Sequence, residues 1–188
     1  MADVAQLVRA PGCGPGGRGF KTHRSPQNFI MSKQDNTFVL QTVQPGLAGL
    51  MDGSVSTLAP IFAAAFATHK PHVAFLVGVS AAVGAGISMA FAEGLSDDGV
   101  LTGRGHPFRR GVIIGGMTFL GGIFHTLPFL LSDFNVALVA ASIVVGLELM
   151  AISYLRYHYF KMKFWRSIAM VMLGGAIVFV AGILIGSA

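Results

Sequence analysis

The sequence predicts an all-α, polytopic membrane protein of five transmembrane helices, with the N-terminus in the cytoplasm and the C-terminus outside. Three observations lead there. Of 188 residues, 53% are apolar and only 11% are charged, with a mean hydropathy of +0.68. An ordinary soluble domain carries about 25% charge, so this chain has too little to cover a soluble surface. Apolar segments of about 20 residues, the length that crosses the hydrocarbon layer, recur from residue 45 to the end. The basic residues fall on alternate connections. Together these exclude a soluble globular enzyme and a disordered chain. The formal net charge of +5 reads as a topology signal, and no nucleic-acid partner is expected. Cys13 is the single cysteine, so neither an intramolecular disulfide nor a cysteine metal cluster is available.

Residues 1–30 hold Arg9, Arg18, Lys21 and Arg24, one acid (Asp3), and a glycine-proline stretch from Pro11 to Gly19. No apolar run follows the charges, so this is not a secretory signal, and the glycines oppose the amphipathic helix of a transit peptide. Gly12-x-Gly14-x-x-Gly17 lacks the flanking strand and helix of a dinucleotide site. The stretch resembles peptides that arise when a reading frame runs through a transfer-RNA gene. Residues 1–30 are therefore read as a disordered or spurious extension, with Met31 as the natural start and 31–44 as a cytoplasmic lead-in to a membrane domain over 45–188.

The five segments are 45–68, 73–95, 110–131, 134–156 and 165–186. Pro71 breaks the first connection, and Ser132-Asp133 caps the start of the fourth segment. The connection 94–109 is polar and glycine-rich, with Asp97, Asp98, Arg104, His106 and Arg109. With Arg110 at its edge it carries three arginines. The connection at 157–164, with its flanks, carries Arg156, Lys161, Lys163 and Arg166. The connection at 69–72 has only Lys70, and 132–133 and the C-terminus have no basic residue. The positive-inside rule gives the orientation stated above. Gly49-x3-Gly53, Gly111-x3-Gly115 and Gly182-x3-Gly186 have the spacing that brings helix backbones together in lipid, within one protomer or across a dimer.

Ionisable groups in hydrocarbon cost about 2.5–3.5 kcal/mol each even on insertion scales, so each is a functional candidate. Asp52 lies in the first segment, Glu93 near the end of the second, His125 in the third and Glu148 in the fourth. At about 1.5 Å per residue, Asp52, Met89 and Glu148 fall roughly 10–13 Å from the cytoplasmic side, and His125 roughly 22 Å. Met89, Glu93 and Asp97 share one helix face at i, i+4, i+8, so Asp97 and Glu93 could collect a cation and Met89 receive it. A thioether beside carboxylates favours a softer first-row metal such as Fe²⁺. Asp52, Met89 and Glu93 are thus candidate metal ligands, with core packing the alternative for Met89. Asp97, Glu148 and His125 are candidates for metal entry or proton coupling. Glu148 could instead be a structural hydrogen-bonding group, and His125, ahead of Pro128, a satisfied histidine of the bundle. No hydrolase motif or P-loop is present, and no enzymatic activity or resident cofactor is expected.

"GLMDGSVSTLAPIFAAAFATH" and "GVSAAVGAGISMAFAEGLSDD" resemble the vacuolar iron transporter family in its hallmarks. These are an Asp-Gly in the first helix (Asp52-Gly53) and Ser-Met-Ala-x-x-Glu in the second (Ser88 to Glu93). The stretch 38–188 resembles most the membrane domain of the bacterial erythrin–vacuolar iron transporter proteins, or membrane-bound ferritins. The resemblance implies five helices, a homodimer in a bacterial inner membrane, and proton-coupled export of Fe²⁺ or Mn²⁺ from the cytosol. It also implies that Asp52 and Met89 line a pathway between protomers, with Glu93 in support. Two features of the family are missing from this sequence. The connection after the second segment has no glutamate-rich domain, and residues 1–44 have no paired Glu-x-x-His ferritin-like motif. The sequence therefore reads as the membrane half alone. An alternative role is a non-transporting membrane anchor for a separate ferritin-like, iron-storing partner.

Overall fold

The computed structural model describes residues 37–96, 98–99, 103–160 and 163–188. The expectations placed on residues 1–36, and the one on Asp97, lie outside the described residues.

Helix α1 spans Val39–Thr68. It opens with a π turn over Val39–Val43, continues as Gln44–Ser56 and resumes as Leu58–Thr68. Pro60 accounts for the interruption, because it has no N–H for the Ser56 carbonyl and its ring crowds that group. Thr57, at the break, turns its own N–H to the Val55 carbonyl. α1 closes on His69, whose backbone is left-handed (φ 51°) and whose N–H bonds the Ala65 carbonyl at 2.9 Å. Helices α2 (Pro71–Gly94) and α3 (Pro107–Phe124) each start on a proline at the first helical position, where a missing N–H costs nothing. Helix α4 (Phe134–Phe160) is capped by Asp133, whose Oδ1 accepts the Val136 N–H at 2.9 Å. Helix α5 is Phe164–Gly186.

The third segment differs from the stretch 110–131 expected for it. It starts at Pro107, which recruits the two arginines into the first turn, and stops at Phe124. Pro128 cannot donate to the Phe124 carbonyl, so the chain turns there and runs on as a 3₁₀ turn, Leu127–Leu130. α1, α2, α4 and α5 are long and apolar enough to cross a membrane. α3 has 18 residues, with Arg109 and Arg110 in its first turn.

α3 lies between α1 and α2. On one side, Gly49 meets the Ile114 backbone and Gly53 the Thr118 carbonyl, so α1 and α3 run in the same direction. On the other, Gly111 meets the Ala90 carbonyl and Gly115 the Gly86 carbonyl, so α2 runs against them. Gly182 and Gly186 of α5 pack on Ala59 and Ala63 of α1. All three spaced glycine pairs therefore serve packing inside the chain, where a missing Cβ lets backbones touch. Beyond the α1 break, Leu58, Ile61, Phe62 and Ala65 form a core with Phe129 of the 3₁₀ turn and with Ala137 and Ala141 of α4. Phe62 meets Phe179 of α5 edge-on, at 4.5 Å between ring centres. Outward, α2 and α5 present large apolar side chains such as Ile87, Phe91, Leu173 and Leu184, as a lipid-facing surface requires.

Candidate functional site

The start of α1, the end of α2, the start of α3 and the end of α4 come together at one end of the bundle. Glu93 lies there, and its Oε1 is 2.7 Å from Arg104 Nη2 and 2.8 Å from Arg110 Nε. Arg110 is only 1% exposed, so its charge needs this partner. Its Nη1 donates to the Gly105 carbonyl and its Nη2 to Ser96 Oγ, both at 3.3 Å. Gln41 of α1 donates to the Gly103 carbonyl at 3.3 Å, and Arg109 donates to Thr42 at 3.5 Å. Gly99 and Gly105 adopt φ of 75° and 79°, which lets the connection fold back onto itself. The connection after α2 is thus clamped over the bundle end. Both guanidinium groups engage the same oxygen of Glu93, Oε1.

Asp52 and Met89 lie deeper. Both are half-buried, and among the described residues Asp52 makes neither a hydrogen bond nor an ion pair. The side chain before it, Met51, has its sulfur 3.9 Å from Arg156 Nη1. α3 serves as a ruler between the two sites. Gly53 is against Thr118, and Ala90 is against Gly115. The three residues between those contacts rise about 4.5 Å, so Asp52 and Met89 sit within one helical turn of each other along the bundle. Among the described residues, no group of three or more His, Cys, Asp or Glu could hold a metal ion.

Glu148 and His125 form a separate cluster. Glu148 Oε2 is 2.8 Å from His125 Nδ1, and His125 Nε2 is 2.8 Å from Thr57 Oγ1. Thr57 Oγ1 donates in turn to the Gly53 carbonyl at 2.8 Å. His125 has no exposed surface, and Glu148 keeps 11% of its side chain exposed. Glu148 Oε1 is buried with no partner among the described residues. The depth reckoning that placed Glu148 level with Asp52 and Met89, and His125 farther out, is therefore revised. α4 continues to Phe160, which sets Glu148 twelve residues, or about 18 Å, from that end. His125 is the first residue after α3, and its ring turns back into the bundle.

Sequence reasoning did not find Thr57, Arg104 or Arg110 as partners. For the arginines a signal exists, since Glu93 and Arg110 flank one short connection from opposite helix ends. For Thr57 the signal is Pro60, which marks the break where its hydroxyl becomes useful.

A family model, described as the VIT family, matches residues 97–187, which take in the connection after α2 and all of α3, α4 and α5. The match includes Arg104, Arg110, His125 and Glu148, and lies beyond Asp52, Met89 and Glu93. No curated protein and no solved structure matches the chain. Among the described residues, an all-helical bundle with four helices that can cross a membrane agrees with this family match, and the match over residues 97–187 supports assigning the chain to the VIT family, a family of membrane transporters rather than enzymes.

Proposed function

We propose that this chain exports a divalent transition metal, Fe²⁺ or Mn²⁺, from the cytosol in exchange for protons, with Asp52 and Met89 as the metal-binding pair. One observation carries the reading. A carboxylate and a thioether sit within one turn of each other in height, on the two helices that flank α3, half-buried, with no polar partner for Asp52 among the described residues. Burying such a carboxylate without a partner is costly, and a cation relieves the cost. The soft sulfur favours a first-row transition metal over Mg²⁺ or Ca²⁺.

Two donors are too few for such a metal, which takes about four or more. A homodimer with its two-fold axis beside this pair brings together two copies of Asp52 and Met89. The outer face of α2 favours that arrangement. Ser80, Gly84 and Ser88 are exposed at a spacing of four, and nothing lies within 4 Å of where a Gly84 Cβ would be. That face lets a second helix approach closely in lipid. In this reading all five helices cross the membrane. α3, short and arginine-tipped, does so in the shelter of α1 and α2. The clamped, basic end faces the cytoplasm, and Glu93 receives metal when the clamp opens. The resemblance to the erythrin type favours a bacterial inner membrane.

The test is Fe²⁺ uptake into proteoliposomes under a pH gradient, starting the chain at Met31, for the wild type, Asp52→Asn and Met89→Ala. Flux in the wild type with a loss of at least tenfold in both variants is expected. Normal flux in both variants removes the proposed pathway. A folded wild type without flux leaves the anchoring role for an iron-storing partner.

A further inference from the structure

The hydrogens around His125 can be counted. The Thr57 hydroxyl has one hydrogen, and it goes to the Gly53 carbonyl at 2.8 Å. Thr57 Oγ1 can then only accept from the ring, so His125 Nε2, at 2.8 Å, carries a hydrogen. The Nδ1 to Oε2 contact, also 2.8 Å, needs a second hydrogen between its atoms, on the ring or on the carboxyl. Without it, a lone pair would face a carboxylate. In this geometry the pair holds one proton beyond a neutral imidazole and a carboxylate, and is electrically neutral overall. That balance suits a site where His125 is fully buried and Glu148 Oε1 has no partner among the described residues.

The same atoms admit a second satisfied arrangement with one proton fewer. Nδ1–H donates to the Glu148 carboxylate, Nε2 becomes the acceptor, and the Thr57 hydroxyl rotates to donate to it. The Gly53 carbonyl then gives up the Thr57 hydroxyl. This carbonyl adjoins Asp52 and lies four residues before the break in α1. We propose that His125 and Glu148 form a binding site for a single proton, and that the Thr57 hydroxyl reports its occupancy to the segment of α1 that carries Asp52. The step balances, with one proton leaving the pair for water and a hydroxyl hydrogen changing acceptor, and no other bond forming or breaking.

Few other charges bear on the pair. On α1, Asp52 precedes Thr57 by five residues and bonds neither member. α2 packs against the turn through Gly78 and Ala82, and has no titratable side chain between His72 and Glu93. α4 carries Tyr154 and Arg156 beyond Glu148, and α5 has no titratable side chain after Arg166. The ends near the pair hold His69, Lys70 and Asp133 in connections and His72 in the first turn of α2.

The test is nitrogen NMR of the full chain, labelled at histidine and held in detergent micelles, followed from acid to alkaline pH as far as the fold persists. His125 is assigned by its loss in His125→Gln. The expected result is a hydrogen on Nε2 at the acid end that disappears as the pH rises, while Nδ1 is protonated at the alkaline end. Glu148→Gln should abolish the change, because a carboxamide donates to Nδ1 and holds the neutral Nε2–H ring throughout. A wild-type ring that keeps its Nε2 hydrogen across the range overturns the proposal, and so does an unaltered titration in Glu148→Gln. The wild-type measurement stands even if the variant does not fold. A link to transport rests on the function proposed above and is read separately in proteoliposomes. Glu148→Gln should lose the dependence of flux on the pH gradient, whereas Asp52→Asn should lose flux itself.

Discussion

Glu93 shows how much a single residue's neighbours decide. Read along one helix, it lines up with Met89 and Asp97 as a path for a cation. In the fold it holds Arg104 and a fully buried Arg110. Removing one member of a buried pair leaves an uncompensated charge, at a cost of about 3–5 kcal/mol. Glu93→Gln should therefore destabilise the protein by about 3 kcal/mol, measured as a lower midpoint in thermal unfolding in detergent. An unchanged midpoint would show that Arg110 does not depend on Glu93. Helical spacing disclosed which residues share a face. It could not disclose Arg110, because that contact crosses a connection whose path depends on glycines with positive φ. Glu148 and His125 were legible as buried ionisable groups. Their bond was not, because it depends on where α3 stops and on how far α4 extends.

At the level of helices, apolar length, Pro71 and the Ser132-Asp133 cap made the elements readable, whereas the start of α3 at Pro107 was placed three residues too late. The end of α3 was misread because an apolar stretch continues past Phe124, whereas Pro128 ends the hydrogen bonding there. Helix contacts follow the glycines. A methyl group on Gly53 would overlap the Thr118 carbonyl, whereas one on Gly146 of α4 would meet nothing within 4 Å. Gly53→Ala should push α1 away from α3 and cost about 1–3 kcal/mol or more, as overpacking does. Gly146→Ala should be neutral or stabilising by about 0.5–1 kcal/mol, through better helix propensity alone. Unfolding in graded denaturing detergent separates the two. Equal effects would mean that the seam between α1 and α3 yields.

For the whole molecule, composition was enough to give the class, and the placement of basic residues gave an orientation that can be tested. His106 and Ser132 are both exposed, in connections at opposite ends of the bundle. With Cys13 replaced by serine, His106→Cys should react with a membrane-impermeant maleimide only after cells are permeabilised. Ser132→Cys should react in intact cells. The reverse pattern would invert the protein in the membrane. In the proposed function the metal site is shared with a second copy, and a single sequence does not disclose such a partnership.

The interruption at Thr57 divides α1 between two partnerships. Before it, Gly49 and Gly53 bind the helix to α3; after it, the Ala59 and Ala63 side faces Gly182 and Gly186 of α5. Each half is stitched backbone to backbone to a different neighbour, and the halves meet where regular helical bonding lapses. The two seams meet at a single residue, the threonine whose hydroxyl has two acceptors within 2.8 Å, the Gly53 carbonyl and His125 Nε2.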